Sequence, residues 1–167
     1  MITQNNQLEL FEIISKELKK ETVCYAFGGT AMMFYGYKGE TKDIDILFED
    51  EPSRKEFIRV LVSMGFSESS PFKIYIDEKL CDPHRPLMYK REEIRFDLFV
   101  TKIFQTMLST GMKEDVFAVH EFGKLTLRVL RTEYIVILKS VTERDRDLED
   151  IITILRKTKH FNWQYLI

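Results

Sequence analysis

Twenty residues, GGTAMMFYGYKGETKDIDIL from Gly28 to Leu47, constrain this chain more than any other stretch. The apolar, β-rich run TVCYAF precedes them and reads as a buried strand. It stops at Gly28-Gly29, a pair that permits φ > 0 and a close backbone approach. A short helix is expected from Thr30 to about Tyr37, followed by KGETK as a loop. DIDILF then alternates, with Asp43 and Asp45 on one face and Ile44 and Ile46 on the other. Two readings of this strand–turn–helix–strand unit are open. One is an ordinary tight turn and a strand with a polar start. The other is a phosphate cradle at the helix N-terminus, where unpaired N–H groups favour an anion, facing a metal site. The aspartates' Cα atoms lie roughly 6.6 Å apart on one side of a strand, so both carboxylates can reach one pair of cations.

The rest of the chain supplies a sheet and helices to pack around this unit. Leu8, Phe11, Ile14 and Leu18 mark a helix over 7–20. Ser53 and Glu56 read as a capping box, before a helix carrying Phe57, Val60, Leu61 and Met64 and stopped by Gly65. Residues 67–92 hold Pro71, Pro83 and Pro86, with KIYI (73–76) as a strand and CDPHRP as a loop. EIRFDLFV alternates, placing Ile94, Phe96 and Leu98 on one face and Arg95 and Asp97 on the other. VFAVHEF and KLTLRVL, separated by Gly123, read as a hairpin. TEYIVILKSV is one helix. A second, preceded by the cap-like pair Thr142 and Asp145, is expected to bury Leu148, Ile151, Ile152 and Leu155, with Trp163 and Tyr165 docking on the core. The expected fold class is α/β (α+β): a mixed β-sheet flanked by helices, with a small helical C-terminal portion. At 167 residues, one domain is expected, with its core over about 7–130 and C-terminal helices over about 131–167.

Composition removes several function classes. Net charge is −2, from 25 basic and 27 acidic side chains, which provides no global field for non-specific DNA binding. Cys24 and Cys81 form no C-x-x-C pair, and His84, His120 and His160 are isolated, so a zinc site is disfavoured. The N-terminus lacks a signal-peptide pattern and no run is long and apolar enough to span a membrane; a cytoplasmic protein is expected. The glycine pair is neither G-x-G-x-x-G nor a Walker A loop. Leu47 and Phe48 rule out an EF-hand, and Leu47 also rules out a D-x-D-x-T phosphatase. Asp97 is an acidic residue in an apolar strand: either the partner of Arg95 or Arg91, or a third carboxylate completing a metal site.

In combination these features resemble the DNA polymerase β-like nucleotidyltransferases, whose signature is h-G-[GS], nine to thirteen residues, then D-h-[DE]-h. Here Phe27-Gly28-Gly29 is followed by thirteen residues and Asp43-Ile44-Asp45-Ile46, with Asp97 in RFDLF matching the third carboxylate. GGTAM and TKDIDI, with Lys139 and the later RDRDLED, resemble the small prokaryotic branch related to AbiEii-type toxins. Gly39 stands where those relatives commonly carry Arg, which leaves Lys38 to serve as a point charge.

The resemblance implies transfer of a nucleoside monophosphate from an NTP to an acceptor hydroxyl, with release of pyrophosphate and with Mg²⁺ or Mn²⁺ as cofactor. Asp43, Asp45 and Asp97 would be the metal ligands and catalytic carboxylates. Gly28, Gly29, Thr30 and Lys139 would hold the nucleotide. The acceptor stays open between tRNA, a protein and a small molecule, and a cognate antitoxin or toxin is an expected partner. Lys73, His84, Arg85, Lys90 and Arg91, in the segment 67–92, are the expected acceptor surface. A non-catalytic nucleotide-binding, antitoxin or regulatory module of the same fold is the alternative.

Overall fold

The computed structural model describes residues 1–70, 82–142 and 144–167. The expected strand at 73–76, together with Lys73 and Cys81, lies outside them. The chain opens with strand β1 (Ile2–Thr3) and helix α1 (Gln4–Glu17). The helix starts three residues before the apolar periodicity, because Thr3 and Asn6 cap it reciprocally. Next come β2 (Thr22–Ala26), α2 (Gly28–Phe34), β3 (Glu40–Thr41) and β4 (Asp43–Phe48). Helix α3 (Glu51–Ser63) begins two residues ahead of the expected capping box. Asp50 is the cap and accepts from the Ser53 N–H at 2.7 Å, so Ser53 is capped rather than capping. Strands β5 (Ser67–Glu68), β6 (Leu87–Arg91), β7 (Ile94–Val100), β8 (Lys102–Ile103) and β9 (Thr106–Met107) follow. Helix α4 (Thr110–Glu114) leads into the expected hairpin, β10 (Val116–Phe122) and β11 (Leu125–Leu130). Helices α5 (Thr132–Ser140) and α6 (Asp145–Lys157) and a 3₁₀ turn at Trp163–Leu166 end the chain.

The sheet is mixed, in the order β10-β11-β2-β4-β7-β6-β5. β11 runs parallel to β2, β2 antiparallel to β4, and β4 parallel to β7. Even-numbered residues of β4 and β7 face α3: the Phe57 ring lies 5.2 Å from Phe48 and 5.8 Å from Phe96. Phe57, Ile44, Ile46 and Phe96 are completely buried, each removing apolar surface worth roughly 1.5–3 kcal/mol. The odd-numbered residues face the other way, toward α2, and carry Asp43, Asp45, Arg95 and Asp97. The core therefore lies behind the two central strands and the acids in front.

Two C-terminal expectations are corrected. Leu148 and Ile152 are 59% and 39% exposed, and α6 instead turns Asp147 and Ile154 inward. The buried acid is held by ion pairs, which apolar periodicity does not register. Trp163 is 59% exposed, with its ring 4.8 Å from that of Phe161, whereas Tyr165 docks edge-on to Tyr134 and donates to Asp115. Among the described residues no helix is long and apolar enough to cross a membrane.

Candidate active site

The strand-to-helix turn after β2 is built for close approach. Gly28 has φ +57°, and a Cβ there would stand 2.7 Å from Asp45 Oδ2. A Cβ on Gly29 would meet Thr41 Oγ1 at 2.6 Å. These two glycines thus let the start of α2 lie directly against the start of β4. The Ala31 N–H is bonded to Phe27 O, so the N–H groups of residues 28–30 precede the first intrahelical bond. Thr30 is fully buried, and its hydroxyl accepts from the Asp45 N–H at 2.8 Å. Its side chain ties helix to strand from a fully buried position.

Parallel pairing of β4 with β7 sets Asp45 opposite Asp97 and Asp43 opposite Arg95. The three carboxylates expected from the sequence are therefore brought to one face of two adjacent strands. Asp97 is buried, while Asp43 and Asp45 are partly buried. Arg95 lies among them. Its Nε and Nη2 donate to Asp97 at 2.7 and 3.0 Å, and Nη2 also reaches Asp43 Oδ2 at 2.7 Å. Asp45 receives no such cation: among the described residues nothing donates to its carboxylate. Burial, then the charges of Asp97 and Asp43, push the Asp45 carboxyl well above the usual carboxylate range. The charges of Lys139 and Arg95 offset this only in part.

Lys139 is the last of the seven expected site residues, and it is 9% exposed rather than solvated. Its ammonium donates to Asp147 at 2.7 Å and Asp150 at 2.8 Å. The acidic segment after it is thus its clamp. Lys38 also binds Asp150, at 3.1 Å, so it is engaged with the C-terminal helix. Burial alone would raise the Asp147 carboxyl; hydrogen bonds from Lys139 and Thr142 and the charges of Lys139 and Arg144 bring it to about 2.

The donor set of Asp43, Asp45 and Asp97 is all oxygen, crowded and short of positive charge, which suits a hard divalent cation such as Mg²⁺ or Mn²⁺. Among the described residues no three ligand side chains already surround a common point. The pairing of Asp97 with Arg95 is one of the two readings the sequence offered, and it is present; the reach of the same guanidinium to Asp43 had no sequence signal, because it depends on the β4–β7 register.

The architecture has counterparts among solved structures. ANT(2″)-Ia in complex with adenylyl-2″-tobramycin superposes with a TM-score of 0.58 at 14% identity, covering 90% of this chain and 88% of that one. A candidate nucleotidyltransferase from Thermotoga maritima gives 0.56 at 17% identity, covering 95% and 97%. An antigenic nucleotidyltransferase-like protein from Paracoccidioides brasiliensis gives 0.55 at 14%, covering 93% and 78%. The fold is that of the nucleotidyltransferases. No family model matches this sequence, and no curated protein does. In this nucleotidyltransferase-like fold, the three carboxylates and the glycine turn occupy the front of the central strands.

Proposed function

We propose that this chain is a metal-dependent nucleotidyltransferase that moves a nucleoside monophosphate from an NTP to an acceptor hydroxyl and releases pyrophosphate. The observation that carries the reading is the placement of Asp43, Asp45 and Asp97 on one face of paired strands, with Asp45 directly beside the Gly28–Gly29 turn. Asp43, Asp45 and Asp97 would hold a divalent cation, which when bound neutralises phosphate charge. The chain's own residues do the rest by positioning and charge. Backbone N–H groups at Gly28, Gly29 and Thr30 face the phosphates. Lys139, held by Asp147 and Asp150, contributes positive potential toward Asp45. Asp97 takes the proton as the acceptor oxygen bonds to the α-phosphorus and the bond to pyrophosphate breaks.

Two assays test this. Mg²⁺-dependent NTP binding is expected to be lost in Asp43→Asn and Asp45→Asn; binding unchanged in both would sink the site. Label from α-³²P-NTP is expected to pass to an acceptor present in a lysate, and product analysis would separate tRNA, protein and small-molecule acceptors. ANT(2″)-Ia, whose complex holds an adenylylated tobramycin, supports inclusion of small hydroxylated molecules in that screen. The GGTAM and TKDIDI matches support a toxin–antitoxin role, with a cognate protein as partner. A second reading, a non-catalytic nucleotide-binding or regulatory module, is favoured by Arg95 sitting across two of the carboxylates. Metal-dependent NTP binding with no label transfer to any fraction would select it.

A further inference from the structure

Arg95 provides a cation for the acidic site from within the chain. Its Nη2 stands 2.7 Å from Asp43 Oδ2 and 3.0 Å from Asp97 Oδ2, between two carboxylates that a metal ion would have to share. Nε occupies the other Asp97 oxygen at 2.7 Å, so this paired fork covers both oxygens of Asp97. Its side chain is 17% exposed, against 5% for Asp97, so this is a partly desolvated pair and is screened less than a surface one. Asp45 feels its charge but is not one of the carboxylates it is seen to grip. The acidic face is thus divided: Asp97 has both oxygens held by the guanidinium and Asp43 has one, Oδ2.

We propose that Arg95 is a latch that competes with a divalent cation for Asp97 and Asp43. Asp45 and the second oxygen of Asp43 would hold a first cation, and Asp97 would join the ligand set only once the guanidinium has left. The latch keeps three crowded carboxylates from repelling one another before loading and couples loading to a rotation of one side chain. Arg95 is a positioning residue: it acts through Asp97, and the inference rests on the metal site proposed above.

The test is Mn²⁺ titration of the full nucleotide-free chain, followed by the electron paramagnetic resonance of free Mn²⁺. Arg95→Met is expected to bind Mn²⁺ about ten-fold more tightly than wild type, since a unit positive charge within ~4 Å of the ion is removed. Asp97→Asn placed in the Arg95→Met background is expected to erase that gain, which general loosening would not do. Arg95→Lys keeps the charge but loses the fork, and a smaller gain is expected from it. It carries the test if circular dichroism shows Arg95→Met to be unfolded. Mn²⁺ affinity unchanged or weakened in the folded Arg95 variants overturns the latch while leaving the metal site standing. Absence of Mn²⁺ binding in wild type and every variant overturns both.

Discussion

Two clusters of charge lie on the same side of the sheet, and they are built to opposite rules. Around Lys139 every acid has cations to match it: Asp147 and Asp150 meet Lys38, Lys139 and Arg144 at 2.6–3.1 Å. There the Asp147 carboxyl falls to about 2, although burial opposes it. Around Asp45 three acids meet one guanidinium, and the Asp45 carboxyl rises instead. Equal chemistry gives opposite shifts because partners are supplied in one place and withheld in the other. The matched cluster holds α5 to α6. The unmatched one retains an appetite for positive charge, which is the property a cation-loading site needs.

The widest break between the two would come from Asp45→Asn. Label transfer is expected to fall at least ~10³-fold, about 4 kcal/mol of barrier, while thermal stability at neutral pH rises because the repulsion is gone. Loss of both would turn Asp45 into a structural residue. Lys139→Met should do the reverse to its own cluster. Removing the buried partner of two acids is expected to cost about 3 kcal/mol in urea unfolding. Gly28→Ala strikes the contact between helix and site: positive φ and a 2.7 Å approach to Asp45 Oδ2 should cost about 2 kcal/mol and weaken Mn²⁺ binding.

Acid titration sharpens the contrast in sign. Asp147 has its folded value depressed from the ordinary 3.8 to about 2, so its contribution is complete above ~4 and is lost as pH falls from ~4 through ~2. That loss should be on the order of 1–2 kcal/mol in stability against pH, and Asp147→Asn should abolish the slope. Asp45 acts the other way: raised when folded, it penalises the native state as pH climbs above the ordinary carboxylate range. The smallest effect belongs outside both clusters. Leu148→Ser, on the exposed side of α6, should change stability by less than ~0.5 kcal/mol.

What the sequence disclosed depended on whether the information was local. Strand alternation put Asp43 with Asp45, and Arg95 with Asp97, and the glycine pair marked the turn beside them; all of this is readable from neighbours in the chain. The bond between Arg95 and Asp43 was not, because it follows from strands paired across fifty residues. Periodicity misplaced the inner face of α6 because ion-paired Asp147 occupies a buried position and Leu148 an exposed one. Ser53 looked like a cap because it precedes a good helical pattern. Asp50, three residues earlier, takes that role with Pro52 inside the first turn.

The strand order has a consequence for how such a molecule is made. β2 emerges early from the ribosome, but one of its two neighbours, β11, is among the last strands synthesised. β4 likewise waits for β7. Until β7 has been added Asp97 has no place beside Asp45, and until residue 130 has been added β2 presents an unpaired edge. Contacts this distant in sequence make folding slow and the half-finished chain adhesive. A premature stop anywhere before the final hairpin would thus yield a fragment with an incomplete sheet and without Lys139.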